Sequence, residues 1–201
     1  MPEYAVPKPR RRGRPRGGES GARERILASA VDEFGDQGYD GATIRNIAAR
    51  AGVDSALVHH YFGTKADLFA EAVGAPMRPD IDVPAILAGP RDALGEHLVR
   101  YVLEAWEHPD VRKQGVVLLR SAIGNRFATP LLAGFLSREL LGRIAAELDV
   151  SDAELRASLA ASQVAGLLIG RYVLKLPALA AASVDELVAR VGPSVQRYLL
   201  G

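Results

Sequence analysis

The sequence predicts an all-α protein, with an N-terminal three-helix helix-turn-helix head followed by a larger helical body. Apolar residues recur at three- and four-residue spacing through most of the 201 positions. No stretch alternates convincingly with the period of two that a strand needs, and helix-start signatures recur along the chain. At 48% hydrophobic and 24% charged residues, the composition is that of a globular chain with a sizeable core. The absence of cysteine excludes a disulfide framework, a thiolate metal site and a cysteine nucleophile.

Residues 1–18 are mainly Pro, Gly and Arg with almost nothing to bury, and read as a disordered basic arm. Six basic residues and one acid give residues 1–16 a charge of +5, against −4 for the remainder. A basic arm on a mildly acidic body is the footprint expected for nucleic acid or an anionic membrane. The helical pattern begins at Ala22, with Ile26, Leu27, Ala30, Val31 and Phe34 on one face, and Gly35 to Gly41 breaks it. Thr43 caps a short second helix, with Ile44, Ile47 and Ala48 inward, which ends near Gly52. Asp54 or Ser55 starts a third through Tyr61. Thr64 to Asp67 resembles a capping box opening a fourth, apolar at Leu68, Phe69 and Val73.

Gly74, Pro76, Pro79, Pro84, Gly89 and Pro90 then punctuate the chain, placing a boundary around 75–90 between a head of residues 19–74 and a body of residues 75–201. The body offers about five helical segments. Leu94, Leu98, Tyr101, Val102 and Ala105 share a face in 91–107, and Val111, Leu118, Leu119, Ala122 and Ile123 do so in 110–125. Leu132, Phe135, Leu136, Ile144 and Leu148 mark 130–148. The last two segments open with the capping boxes Ser151-x-x-Glu154 and Ser183-x-x-Glu186.

Two short helices joined by Ala51-Gly52-Val53 form a helix-turn-helix, with Gly52 where the turn needs a positive φ and Ala48 small enough for a close crossing. Such a unit offers its second helix to the major groove. On spacing alone an ordinary corner between helices is the alternative. The wider motif resembles that of the TetR family of bacterial transcriptional regulators. Thr43, Ile47-Ala48, Ala51-Gly52-Val53, the run His59-His60-Tyr61-Phe62, Lys65 and Asp67-Leu68 carry the likeness, as does the preceding helix ending Phe34-Gly-Asp-Gln-Gly-Tyr39. It covers roughly residues 22–73.

The resemblance implies a homodimer with one DNA-reading head per subunit and a ligand-binding, dimerising body. By motif position it assigns Arg45, Ser55, Ala56 and His59 to base edges, and Thr43, His60, Tyr61, Thr64 and Lys65 to phosphates. Arg bonds a guanine edge in bidentate fashion and Ala touches a thymine methyl, while the amides at the Thr64 helix start favour an anion. His59 stands where the family commonly has Tyr, which leaves its partner atom open. Arg12-Gly-Arg-Pro-Arg16 resembles an AT-hook core, in which Pro15 extends the chain and Arg12, Arg14 and Arg16 suit a narrow minor groove. A basic tail adding non-specific affinity fits the same residues.

Segment 151–176 is apolar nearly all round and carries Ser158, Ser162, Gly166 and Gly170 at four-residue intervals. With 183–200 (Leu187, Val188, Val191, Tyr198, Leu199) it is expected to build a homodimer through residues 151–200, the other reading being that both helices complete the subunit's own core. Pro193 is expected to kink the last helix. A small-molecule effector is implied by the resemblance and the size of the body. Tyr101, Trp106, Leu119, Phe127, Phe135, Gln163 and Tyr172 are the ligand-binding candidates, with plain core packing as the alternative for each aromatic. Gln163 needs a partner, either a ligand or its counterpart across the dimer.

No phosphate loop, metal-binding His pair or nucleophile elbow emerges, so neither an enzyme, a cofactor nor a metal is expected. Leu159 to Leu176 is interrupted by Ser162, Gln163, Arg171 and Lys175, a poor membrane span, and no secretory signal is evident. The chain is expected to be cytoplasmic. It reads as a transcriptional regulator that binds a double-stranded, palindromic operator and is released from it by an effector. A ligand-independent or architectural DNA-binding protein using the arm is the alternative.

Overall fold

The computed structural model describes the backbone of residues 18–125 and 128–201, and the side chains of these apart from residues 18–20, 123 and 124. Regular structure among the described residues is helical throughout, as the sequence predicts. The helices are α1 (Gly18–Gly41), α2 (Ile44–Ala51), α3 (Ser55–Phe62), α4 (Lys65–Ala72), α5 (Pro79–Leu87) and, after a short 3-10 turn, α6 (Leu94–Glu107). They continue with α7 (Pro109–Gly124), α8 (Ala128–Phe135), α9 (Gly142–Leu148), α10 (Ala153–Leu168), α11 (Pro177–Ala181) and α12 (Val184–Leu200). A π-helical turn, Leu136–Leu141, joins α8 to α9, and another, Ile169–Val173, extends α10. Arg12, Arg14, Arg16 and Phe127 lie outside the described residues.

Local hydrogen-bond demands set the first four helices. Thr43, Asp54 and Thr64 each adopt extended backbone and accept an amide of the following turn, on Asn46, Ala56 and Asp67 respectively. Gly52 closes α2 in the left-handed region at φ 66°, ψ 40°, where a side chain would be strained. Helix α1 is interrupted within the Gly35 to Gly41 run, as the sequence leads one to expect: Gly38, at φ 74° and ψ 172°, is non-helical and kinks the chain. Of its expected inward face Ile26, Ala30 and Phe34 are buried, but Val31 is 50% exposed.

Glu33 is buried between α1 and α2, accepts from Asn46 Nδ2 at 3.0 Å and pairs with Arg50 Nε at 2.8 Å. Removing a buried charged acceptor costs about 1–3 kcal/mol, so Glu33→Ala should lower stability by that amount in denaturant melts. Wild-type stability in that variant would remove the bond as the brace of α2.

Two readings of the chain are corrected. The proline-rich stretch taken as mere punctuation contains α5, because Pro79 occupies the first helical position, where a missing N–H is harmless. Ser151 is not a capping residue: α10 starts after Asp152, which is left-handed at φ 56° and makes no side-chain cap bond. The box at Ser183 does form, with Glu186. Helix α12 continues through Pro193 to Leu200.

Apolar burial is organised in two clusters. One is built by α1–α4 around Phe34, Ile47, Val58, Leu68 and Phe69. The other gathers α5, α6, α9, α10 and α12 around Val99, Leu103, Leu148, Val195 and Leu199. The boundary in sequence is not respected by the first cluster, which also contains Phe135, fully buried.

Candidate functional site

Helices α2 and α3 place most of the expected DNA contacts in the open. Thr43 and Arg45 are exposed at the start of α2; Ala56, His59 and His60 share the exposed side of α3, opposite the buried Val58 and Phe62, and Thr64 is exposed beyond it. Ser55, Tyr61 and Lys65 are half-buried. His59 Nδ1 lies 2.7 Å from the Gly63 carbonyl oxygen, which can only accept, so Nδ1 carries the proton and Nε2 is the ring atom left for a partner. In the neutral ring that atom is an acceptor, suited to the amino group of adenine or cytosine in the major groove.

At the start of α4, Thr64 N donates to Asp67 Oδ2 and Asp67 N to Thr64 Oγ1. The amides left for an anion are therefore those of Lys65 and Ala66. Lys65 itself turns back: its Nζ is 3.4 Å from the Asp40 carbonyl and sits 4.7 Å from the Tyr39 ring centre, and burial lowers its pKa.

That corner of the head is backed by the body. Tyr39 donates its hydroxyl to Glu139 at 2.5 Å, and Arg138 pairs with Asp40 at 2.6 Å. Burial, reinforced by Glu139, pushes the Tyr39 phenol well above its ordinary pKa. Just before Arg138 and Glu139 in the chain, the Phe135 ring stacks on Phe69 at 4.7 Å and meets Tyr39 edge-on at 5.4 Å. Phe135, expected among the ligand-binding residues, is thus part of the head's aromatic core and does not border the interior cavity of the body.

That cavity encloses about 250 Å³ between α5–α10. Its wall is apolar, with Ile86, Leu98, Val102, Ile144 and Val164 among the residues that form it. Three ligand-binding candidates, Tyr101, Trp106 and Leu119, line it. Trp106 fits against Gly115, where a Cβ would come within 2.5 Å of the indole. Two others do not line it. Tyr172 sits in the π-helical turn after α10, its ring tilted 31° against that of Trp106 at 5.3 Å and its hydroxyl donating to Glu107 at 2.9 Å; Gln163 is half-buried on another side of α10.

Asp82 of α5 was not anticipated, because prolines and glycines mark its stretch as a linker. It accepts from Tyr101 Oη at 2.7 Å on the cavity wall. Leu132, Leu136 and Leu140, on α8 and the turn that follows, also face the cavity.

The helices assigned to dimerisation divide their surfaces. Leu187, Val188 and Leu199 are buried in the chain's own core, as is Gly170 against Leu179. Ser158, Ser162 and Gly166 are exposed, beside Leu155 at 59% and Leu159 at 39% exposure. No described helix is long and apolar enough to cross a membrane, and no group of three or more described His, Asp or Glu side chains could hold a metal ion.

A helix-turn-helix with an open recognition helix, carried on an all-helical body, defines a DNA-binding transcriptional regulator. Residues 26–72 match the family described as bacterial regulatory proteins, tetR family, and residues 92–199 match the tetracyclin repressor-like C-terminal domain. The chain belongs to the TetR family of transcriptional regulators. The regulator BetI of Rhizobium meliloti is 30% identical over 170 residues, 81% of this chain and 83% of that protein. The dual regulator CecR of Shigella flexneri is 38% identical over 65 residues, a match spanning 29% of each protein. A TetR-family regulator of Streptomyces coelicolor of known structure is 34% identical, with 93% of this chain and 99% of that chain covered and a TM-score of 0.48.

Proposed function

We propose that the chain is a cytoplasmic repressor that binds a palindromic operator as a homodimer and leaves it when a small molecule enters the body. The arm is residues 1–18, the head 19–74, and the ligand-binding and dimerising body 75–201. Arg45, Ser55, Ala56 and His59 read base edges; Thr43, His60, Tyr61, Thr64 and Lys65 contact phosphates. The exposed small-residue stripe Ser158, Ser162, Gly166 with Leu155 and Leu159 supports close approach of a second copy of α10.

One observation carries the release mechanism. The segment of α8 and its π-helical turn has one side on the cavity, through Leu132, Leu136 and Leu140, and the other in the head, through Phe135 and Glu139. A guest that displaces this segment alters the seating of Tyr39 and Lys65 and hence the pose of the recognition helix. Effector and operator then favour different arrangements of the two heads, whose recognition helices must meet major grooves about 34 Å apart.

The architectural alternative rests on the arm's charge of +5. Selection from random DNA with the full chain, followed by affinities at several salt concentrations, separates the two. An inverted repeat bound far more tightly than scrambled DNA is the expected result. Enrichment of A·T-rich DNA without a repeat, with a steep salt dependence, would establish the architectural reading instead. Deleting residues 1–17 should weaken binding and flatten the salt slope by about 0.9 for each phosphate that the arm no longer neutralises. An unchanged slope would remove the arm from the mechanism.

A further inference from the structure

We infer that the interior cavity takes an apolar organic cation, its hydrophobic part against the aliphatic and aromatic wall and its protonated amine at Asp82. The inference rests on the reading of this cavity as the effector site and names the chemistry of what fills it.

Asp82 is the one charged residue on the cavity wall, among the described residues, and neither Lys, Arg nor His accompanies it. A carboxylate ligand would be placed in apolar surroundings with no cation to pair and with a like charge at its polar end, which is strongly unfavourable. A cation meets the reverse situation. Asp82 Oδ1 accepts from Tyr101 Oη at 2.7 Å and Oδ2 from Arg78 N at 2.7 Å, so each oxygen retains acceptor capacity. Tyr101 has spent its proton on Asp82, and burial with that bond pushes its pKa up to about 12. Its oxygen therefore also presents a lone pair. Both polar groups at this end of the cavity are acceptors, and only a donor satisfies them.

The approach has the same sign. A cleft of about 830 Å³ between α3–α4 and α5 shares Pro76, Met77, Asp82 and Val111 with the cavity. It adds the carboxylates of Asp67, Glu71 and Asp80 and the guanidinium of Arg78. Arg78 is engaged by Asp80 at 3.3 Å and faces Asp67 at 3.8 Å, while Glu71 is paired with Arg23 at 2.5 Å. Asp67 Oδ1 is buried without a hydrogen-bond partner. Carboxylates outnumber cations around the opening, which attracts a cation and repels an anion.

The chain's single tryptophan, Trp106, lies in the cavity wall and reports on occupancy by its fluorescence. Three probes with one shared tail, 4-phenylbutylamine, 4-phenylbutan-1-ol and 4-phenylbutanoate, are titrated against the full chain at neutral pH. The amine is expected to bind about 10- to 100-fold more tightly than the alcohol, the margin of a charge-assisted hydrogen bond, and the acid more weakly than either. In Asp82→Asn the advantage of the amine should collapse while the alcohol binds as before, which also shows that the variant is folded. Ala161→Phe, which fills the cavity, should abolish the response to all three.

An acid that binds as well as the amine, an amine advantage that survives Asp82→Asn, or no response to any probe each overturns the inference. Operator affinity measured in parallel keeps the two readings apart. An amine that binds through Asp82 without weakening the operator complex leaves the inference standing and removes effector release. Release by the acid, with the amine inert, does the opposite.

Discussion

Phe135→Ala should destabilise the protein by about 3–5 kcal/mol, the usual cost of emptying a buried aromatic site. That is a large share of the 5–15 kcal/mol by which domains of this kind are stable. The ring is fully buried, stacked on Phe69, and Phe69 and Tyr39 in turn meet each other edge-on at 4.9 Å, so this aromatic cluster loses its packing surface together. The loss should fall unequally. Helices α1–α4 lose a core residue supplied from outside their own segment, whereas Trp106 belongs to the other apolar cluster. Circular dichroism, which follows all helices, should show an early transition that Trp106 fluorescence does not share. Operator affinity should fall with it, because Tyr39 and the half-buried Lys65 lean on the same cluster. A single transition at the wild-type midpoint, seen by both probes, would refute the shared core. Phe135→Leu, which keeps most of the volume, should recover the greater part of the stability.

The fate of Phe135 marks where local reading stops. Thr43, Asp54, Thr64 and Gly52 were legible because capping and positive φ are properties of four or five consecutive residues. For Phe135 the spacing correctly indicates burial but carries no information on which of two cores receives it. Phe135 and Leu136 are adjacent where α8 passes into the π-helical turn 136–141, and the first is buried in the head's cluster while the second lines the cavity. The second π-helical turn places Tyr172 beside Trp106 rather than in the cavity. At Ser151 the motif was intact, but two left-handed aspartates, Asp149 and Asp152, set the turn and shift the helix start past it. Asp82 was missed for the opposite reason: Pro79 begins a helix here and Pro84 lies within it, although prolines usually end helices. The helix-turn-helix was the most legible part, since its two helices and their caps lie within some two dozen residues.

Gly95→Ala should be the other severe substitution, and it tests a contact that no local pattern announces. In a helix-periodic stretch a lone glycine looks like a weak point, and replacing it with alanine normally stabilises an exposed helix by about 1 kcal/mol. Here Gly95 faces Gly192 of α12. A Cβ on Gly95 would lie 2.2 Å from the Gln196 nitrogen and 2.5 Å from the Gly192 carbonyl oxygen, both backbone atoms that cannot rotate aside. The same crossing is tight from the other side, where a Cβ on Gly192 would come within 2.6 Å of Glu96 Cγ and 2.9 Å of its Cα. Gln196 locks the contact by accepting from Gly95 N at 2.7 Å and donating to the Arg91 carbonyl at 3.0 Å. One methyl group must therefore push α6 and α12 apart, overriding its helix-propensity gain and costing about 1–3 kcal/mol or more. The displacement reaches the cavity, because Leu98, Tyr101 and Val102 of α6 form part of its wall. Loss of thermal stability together with weakened quenching of Trp106 by an apolar amine is the expected pair of results. Gly95→Ala that melts at or above the wild-type temperature would mean that α6 and α12 do not cross this closely, and the propensity gain would then be what is measured.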